Sequence, residues 1–138
     1  MEFKKLMSTK SALNQEISAF SNIESANKYL YLLAGVHGNE PEGVYVLEQL
    51  YSWLQTQSFN IPILVIPVFN PDGYNLKTRV NANKVDLNRN YNISFSGEYA
   101  FGQGSSNNPC SEEYRGESPL SEPEIFSVDR MLFDIQSS

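Results

Sequence analysis

The stretch KYLYLLAGVHGNEPEGVYVLEQLYSWLQT, residues 28–56, decides the fold because its apolar pattern changes in the middle. Residues 28–36 form an apolar run of strand length, which is typical of a strand that is covered on both faces. Proline suits the first turn of a helix, where its missing N–H has no partner, and the apolar residues after Pro41 recur at helical spacing. These residues are Val44, Leu47, Tyr51 and Leu54. The stretch therefore predicts a strand over residues 28–36 and a helix over residues 41–56.

A second apolar run, IPILVIPVFN at residues 61–70, predicts another strand that is apolar on both faces. Two such strands around an amphipathic helix are typical of a β-α-β unit with parallel strands. We therefore predict an α/β fold with a mainly parallel or mixed sheet that is flanked by helices.

The other segments carry weaker patterns. Residues 11–20 have weak helical character, and residues 71–120 are rich in Asn, Gly, Ser and Pro. An irregular stretch of that length is usually functional or disordered. Regular structure returns at SEPE, where Ser121 and Glu124 have the spacing of a capping box and predict a helix that runs to the end of the chain.

Composition narrows the classes of function. The chain has 138 residues, of which 41% are hydrophobic, and this allows one domain with a modest core. The net charge of −6 argues against a general nucleic-acid binder, which needs a basic face for phosphates. The chain has neither an apolar run long enough to span a membrane nor the start of a signal peptide, and Cys110 has no partner for a disulfide. We therefore expect a cytoplasmic protein with no nucleic-acid or membrane partner.

His37 is the single histidine of the chain, and it lies with Glu40 between the predicted strand and helix. A His-x-x-Glu turn can place an imidazole and a carboxylate around one cation, and zinc accepts both donors at about 2.0–2.2 Å. A histidine in a turn is also a common polar surface residue. The four-residue pattern alone leaves both interpretations open.

Two polar segments follow the second predicted strand. NPDGY at residues 70–74 has strong turn chemistry and predicts a β-turn at the carboxyl edge of the sheet, where open α/β sheets bind ligands. KTRVNANKVDLNRNY at residues 77–91 contains two of the four arginines, Arg79 and Arg89. A guanidinium pairs with a carboxylate through two parallel hydrogen bonds. The second segment is therefore either an anion-recognition loop or a solvated loop.

Four segments in order, GVHGNEPEG, NPDGY, KTR with VDLNRNY, and YRGESPLSEPE, resemble the signature segments of the zinc metallocarboxypeptidases. The first and third look closest to bacterial murein-peptide amidase-like members, whereas residues 105–124 look equally like digestive-type carboxypeptidases, so the subgroup stays open. The resemblance implies a Zn²⁺ cofactor with His37 and Glu40 as two of its protein ligands. It implies that Arg79 is a catalytic and substrate-binding residue that polarises the scissile carbonyl. It also implies that Asn88 and Arg89 bind the terminal carboxylate of the substrate.

In that family a further histidine ligand and a glutamate general base come from later in the domain, whereas this chain has no second histidine. We therefore expect residues 1–138 to be the N-terminal portion of one zinc carboxypeptidase-like catalytic domain, truncated to about its first half. Residues 1–27 are a candidate N-terminal extension.

The expected activity of the parent protein is zinc-dependent removal of a C-terminal residue from a peptide with a free carboxylate, with a cell-wall peptide as one candidate. The 138-residue chain by itself is expected to be inactive. Two alternatives stay open: a zinc deacylase of small acyl-amino acids, similar to desuccinylases and aspartoacylases, and an inactive fragment or binding module.

Overall fold

The computed structural model describes residues 1–91 and 105–137. Its strands form a four-stranded sheet in the order β1-β2-β4-β3, and the neighbours β3 and β4 are parallel whereas the other pairs are antiparallel. The strands are β1 Lys4–Lys10, β2 Glu16–Ser21, β3 Leu30–Leu33 and β4 Ile63–Ile66. The sheet is therefore mixed, and this confirms the predicted fold class.

Helices lie between and after these strands. They are α1 Pro41–Leu54, α2 Pro71–Leu76 and α3 Pro123–Ser137, and a short 3-10 turn lies at Leu87–Arg89. The strands predicted over residues 28–36 and 61–70 are present in shorter form as β3 and β4, and the helix predicted over residues 41–56 is α1. Together β3, α1 and β4 form the predicted β-α-β unit. Part of the irregular stretch predicted over residues 71–120, residues 92–104, lies outside the described residues.

Strand β4 is the centre of the core because all four of its side chains are buried. Leu64 and Ile66 pack into the apolar cluster that includes the buried face of α3, and Ile63 and Val65 pack into the cluster that includes α1. The sheet is therefore covered by α3 on one face and by α1 on the other. No helix within the described residues is long and apolar enough to cross a membrane.

The prediction of helical character for residues 11–20 is wrong. Ser11 and Gln15 close a turn, and β2 follows it between β1 and β4. Ile17, Ala19 and Ser21 alternate inward along this strand, while the residues between them are only partly covered. Burial of every second residue places one face of a strand in the core. A helix over the same residues would not bring all three of these side chains to one face.

The predicted β-turn at NPDGY is also wrong, because these residues begin the short helix α2. The side chain of Asn70 accepts a hydrogen bond from the Gly73 N–H at 2.9 Å, and Pro71 occupies the first helical position. Both residue types favour a helix start as well as a turn. The helix ends at Leu76, and Lys77 follows it in the left-handed conformation with a φ of 57°.

The capping box predicted at Ser121 and Glu124 does not form, although the helix itself does. The Ser121 hydroxyl donates to the Glu122 carboxylate. The carboxylate of Glu124 turns inward and accepts hydrogen bonds from the Ala12 N–H at 3.2 Å and from Asn81 Nδ2 at 3.0 Å. Long-range donors therefore replace the local cap.

Candidate active site

The turn that carries His37 is an extension of the sheet. Beyond β3, the Ala34 and Gly35 carbonyls accept hydrogen bonds from the Phe69 and Asn70 N–H groups at 2.8 and 2.9 Å. Gly35 has a φ of +69°, which side chains other than glycine rarely tolerate. The chain therefore turns sharply at the carboxyl end of β3 and passes through His37 into α1.

His37 and Glu40 lie on the same side of this turn, with His37 Nδ1 3.2 Å from Glu40 Oε2. Two donors that each lie about 2.0–2.2 Å from one tetrahedral zinc ion are separated by about 3.3–3.6 Å. An imidazole nitrogen and a carboxylate oxygen are also donors that zinc accepts. The two residues therefore fit zinc. Within residues 1–91 and 105–137, no three His, Cys, Asp or Glu side chains are arranged to hold a metal ion.

Asp86 joins the side chains of two candidate residues, His37 and Arg79. Its carboxylate is completely buried. Oδ1 accepts hydrogen bonds from His37 Nε2 at 2.9 Å and from the Asn88 N–H at 3.0 Å. Oδ2 accepts from Arg79 Nη2 at 2.8 Å and from Arg79 Nε at 3.1 Å. The sequence interpretation missed Asp86, although a carboxylate between the apolar residues Val85 and Leu87 indicates a buried charge that needs partners.

The charges at this centre shift both pKa values. Burial by itself raises the pKa of the Asp86 carboxyl, but the hydrogen bond from His37 and the charge of Arg79 together hold that pKa below its ordinary value. The hydrogen bond to Asp86 raises the pKa of His37, against the opposing effects of burial and Arg79. An ionised carboxylate can only accept, so His37 carries a proton on Nε2. When the imidazole is neutral, its Nδ1 lone pair therefore faces Glu40.

Asn88 and Arg89 follow Asp86 in the 3-10 turn. The Asn88 side chain is exposed. The Arg89 side chain is partly buried, and its Nη1 donates to the Asn88 carbonyl at 3.2 Å. Its Nε is buried and has no acceptor among the described residues. Within that part of the chain, no hydrogen bond or ion pair joins these two side chains to the other three candidate residues.

Residues 115–121 are hydrogen-bonded to Asn90, the residue that follows this turn. The buried Asn90 side chain donates to the Arg115 and Ser118 carbonyls at 2.8 and 3.2 Å and to Ser121 Oγ at 3.0 Å. The Asn90 carbonyl also accepts from the Leu120 N–H at 2.7 Å. Residues 115–121 are therefore a structural brace for the 3-10 turn.

The chain is similar to known proteins over most of its length. The family model described as zinc carboxypeptidase matches residues 6–137. Murein peptide amidase A of Escherichia coli strain K12 is 37% identical over 112 residues, which cover 76% of this chain and 44% of the amidase. Carboxypeptidase A5 of Homo sapiens is 32% identical over 133 residues, which cover 79% of this chain and 29% of that enzyme.

A solved structure shares the fold over almost the whole chain. The crystal structure of murein-tripeptide amidase MpaA from Escherichia coli O157 matches with a TM-score of 0.66 and 25% identity, and it covers 99% of this chain and 57% of that chain. The chain thus spans less than half of each of the two curated relatives. Because the family model covers nearly all of its residues, the chain belongs to the zinc carboxypeptidase family.

Proposed function

We propose that this chain supplies two zinc ligands and the substrate-carboxylate side of a metallocarboxypeptidase active site. The parent protein then removes a C-terminal residue from a peptide, and the 138-residue chain alone has no appreciable peptidase activity. The observation that carries the proposal is the buried Asp86 carboxylate, which bonds both to His37, beside Glu40, and to Arg79.

The two zinc ligands in this proposal are His37 through Nδ1 and Glu40 through its carboxylate. A bound zinc ion supplies the Lewis acidity that activates a water molecule and polarises the substrate carbonyl. Asp86 orients the imidazole by accepting from Nε2, as the partners of ligating histidines generally do. The chain thus holds the two donors in place before a metal arrives.

Arg79 faces the reacting carbonyl in this proposal. Two of its N–H groups are bonded to Asp86. The other N–H groups of the guanidinium have no hydrogen bond within the described part of the chain, and we assign them to the substrate. A preorganised cation beside an oxygen that gains charge lowers the barrier to its formation. The ion pair with Asp86 therefore sets the direction of the guanidinium.

Asn88 and Arg89 bind the free C-terminal carboxylate of the peptide. The supporting observation is the buried Nε of Arg89, which lacks an acceptor within the described residues. Buried donors nearly always have a partner, and a carboxylate from the substrate supplies one. The likeness to murein peptide amidase A favours a cell-wall peptide as the first substrate to test.

Binding of peptides to the purified chain tests the carboxylate site. A peptide with a free C-terminus should bind more tightly than the same peptide with an amidated C-terminus. Arg89→Ala should weaken binding of the peptide with the free C-terminus by at least about tenfold, as expected for the loss of a charged hydrogen bond. The control is Arg130→Ala, because Arg130 lies on α3 with its side chain 71% exposed. Equal binding of the two peptides, or equal losses in the two variants, would contradict the proposal.

Zinc binding and hydrolysis test the rest. His37→Ala and Glu40→Ala should each abolish zinc binding by the chain, whereas hydrolysis should be absent in all samples because a hydrolytic site needs three protein ligands and a base. Zinc-dependent release of C-terminal residues by the wild-type chain would show that the chain is catalytically sufficient. Release of acyl groups from small N-acyl amino acids would favour the deacylase alternative.

A further inference from the structure

The first residues of helix α2 and its cap Asn70 contact both the turn that carries His37 and the segment that carries Arg79. Gly73 of α2 lies against Gly38 of the turn that carries His37 and against the Val80 carbonyl, which follows Arg79. The NPDGY segment therefore does more than connect β4 to the loop that follows.

The side chain of Asn70 bridges these two segments. It is completely buried, and its Nδ2 donates to the Val36 carbonyl at 3.1 Å and to the Val80 carbonyl at 3.2 Å. Val36 directly precedes His37, and Val80 directly follows Arg79. One amide group thus ties the backbone beside a candidate metal ligand to the backbone beside the candidate catalytic arginine.

Two glycines make this bridge sterically accessible. A Cβ on Gly38 would lie 1.9 Å from the carbonyl carbon of Gly73, so the turn rests directly on the backbone of α2. A Cβ on Gly73 would lie 2.4 Å from Asn70 Nδ2 and 2.5 Å from the Val80 carbonyl oxygen. Any side chain at either position would separate the segments that Asn70 joins.

We propose that Asn70 is a positioning residue that holds His37 and Arg79 at their working separation around Asp86, and that Gly38 and Gly73 permit the close approach this requires. The inference rests on the proposed zinc-peptidase site. It assigns Asn70 two separable roles. Its Oδ1 caps α2, and its Nδ2 holds the backbone beside His37 and the backbone beside Arg79 in fixed positions. Hydrogen bonds from one buried amide to two carbonyls leave neither segment free to slide past the other.

The substitution Asn70→Ser separates the two tasks. Serine is as good a helix cap as asparagine, so the hydroxyl keeps the bond to the Gly73 N–H, but it cannot donate to both carbonyls. The matched control is Asn22→Ser. Asn22 also donates to a carbonyl, that of Ile61 at 3.0 Å, and accepts from the Ile63 N–H at 2.8 Å, at the opposite end of β4.

Nitrogen NMR of the imidazole is the decisive measurement, because His37 is the single histidine and its signals need no assignment. In wild type and in Asn22→Ser, at a pH where the ring is neutral, the proton should reside on Nε2. In Asn70→Ser the two tautomers should mix, and zinc affinity should fall about tenfold, the lower end of the range for residues that orient metal ligands. If Asn70 were only a helix cap, the tautomer of His37 and the zinc affinity would both stay at their wild-type values in Asn70→Ser.

The outcomes separate this inference from the proposed function. Zinc binding that survives His37→Ala would overturn the ligand assignment itself. Zinc binding that is lost in His37→Ala but unchanged in Asn70→Ser, with Nε2 still protonated, would overturn only the role of Asn70. If Asn70→Ser does not fold, wild type still decides: the Asn70 side-chain amide protons should exchange slowly with solvent, and rapid exchange would refute the bridge.

Discussion

At the scale of single residues, Asp86 is a buried charge that is paired by several donors. It accepts four hydrogen bonds from three residues while it is fully buried. A buried carboxylate without partners would be very unfavourable, and here Arg79 and His37 supply the compensating charge and donors. The geometry of the candidate site therefore depends on a residue that touches no substrate in the proposed function.

Replacement of this carboxylate should be visible in stability. Asp86→Asn keeps the shape but places an N–H₂ group against donors, so the free energy of unfolding should fall by about 3 kcal/mol, the lower end for breaking a buried ion pair. Urea unfolding measures it. Glu16→Gln is the control, because Glu16 pairs with Lys5 at the surface and should have little effect. Equal stabilities of Asp86→Asn and wild type would contradict this account.

Glu124 should give the fold a distinct dependence on pH. Burial raises the pKa of this carboxyl above its ordinary value of 4.5, against the hydrogen bonds from Asn81 and Ala12. A carboxyl with a raised pKa holds its proton more tightly when folded, so its contribution favours folding at low pH. That contribution is lost as the pH rises from 4.5 through the folded-state pKa.

The variant Glu124→Gln removes this titration. Over that pH range its free energy of unfolding should therefore rise relative to wild type, and urea unfolding at a series of pH values checks the trend. Glu48→Gln, on the exposed face of α1, should keep the wild-type trend. A constant difference between Glu124→Gln and wild type across the series would show that Glu124 does not titrate in this way.

At the scale of elements, the two glycines nearest the start of α1 have different surroundings. A Cβ on Gly43, in the first part of α1, meets nothing within 4 Å, whereas one on Gly38 collides with α2. Gly43→Ala should therefore stabilise the chain by about 0.5 kcal/mol, because glycine is unfavourable within helices. Gly38→Ala should destabilise it. Thermal unfolding of the two variants compares them, and a loss of stability in Gly43→Ala would contradict the geometry.

At the scale of the whole molecule, the two edges of the sheet differ. Edge strand β1 carries Lys4, Lys5 and Lys10 and a register shift between Lys5 and Met7, which are features that discourage pairing with other chains. Edge strand β3 is LYLL, and its Leu30 and Leu33 are 51% and 43% exposed. Within residues 1–91 and 105–137, no further strand pairs with the outer edge of β3.

The purified chain should self-associate through this edge. Leu33→Lys should lower the apparent mass in sedimentation equilibrium at high protein concentration, because a lysine on an edge strand opposes pairing. Leu13→Lys is the control, since Leu13 is 59% exposed but lies in the turn between β1 and β2. A monomeric wild-type chain at all concentrations would refute the prediction.

Long-range hydrogen bonds also tie the β1–β2 turn to the helices. Asp72 accepts from the Ser11 hydroxyl at 2.8 Å and from the Leu13 N–H at 3.0 Å, and Glu124 accepts from the Ala12 N–H. These carboxylates lie about 60 and 112 residues from the turn in sequence. They explain why two predictions from local sequence were wrong. Glu124 does not cap its own helix and residues 11–20 do not form a helix, because both bond to partners that only folding brings near.

The sequence by itself determined β3, α1, β4 and α3, because each is specified by an apolar period within one segment. It also determined that His37 and Glu40 lie together, since only two residues of one turn separate them. Only the tertiary structure decided the roles of Asp86 and Asn70. Asp86 meets His37 across 49 residues, and Asn70 meets Val36 across 34. Hydrogen bonds over such separations depend on how the strands are ordered in the sheet, and no local pattern of residues encodes that order.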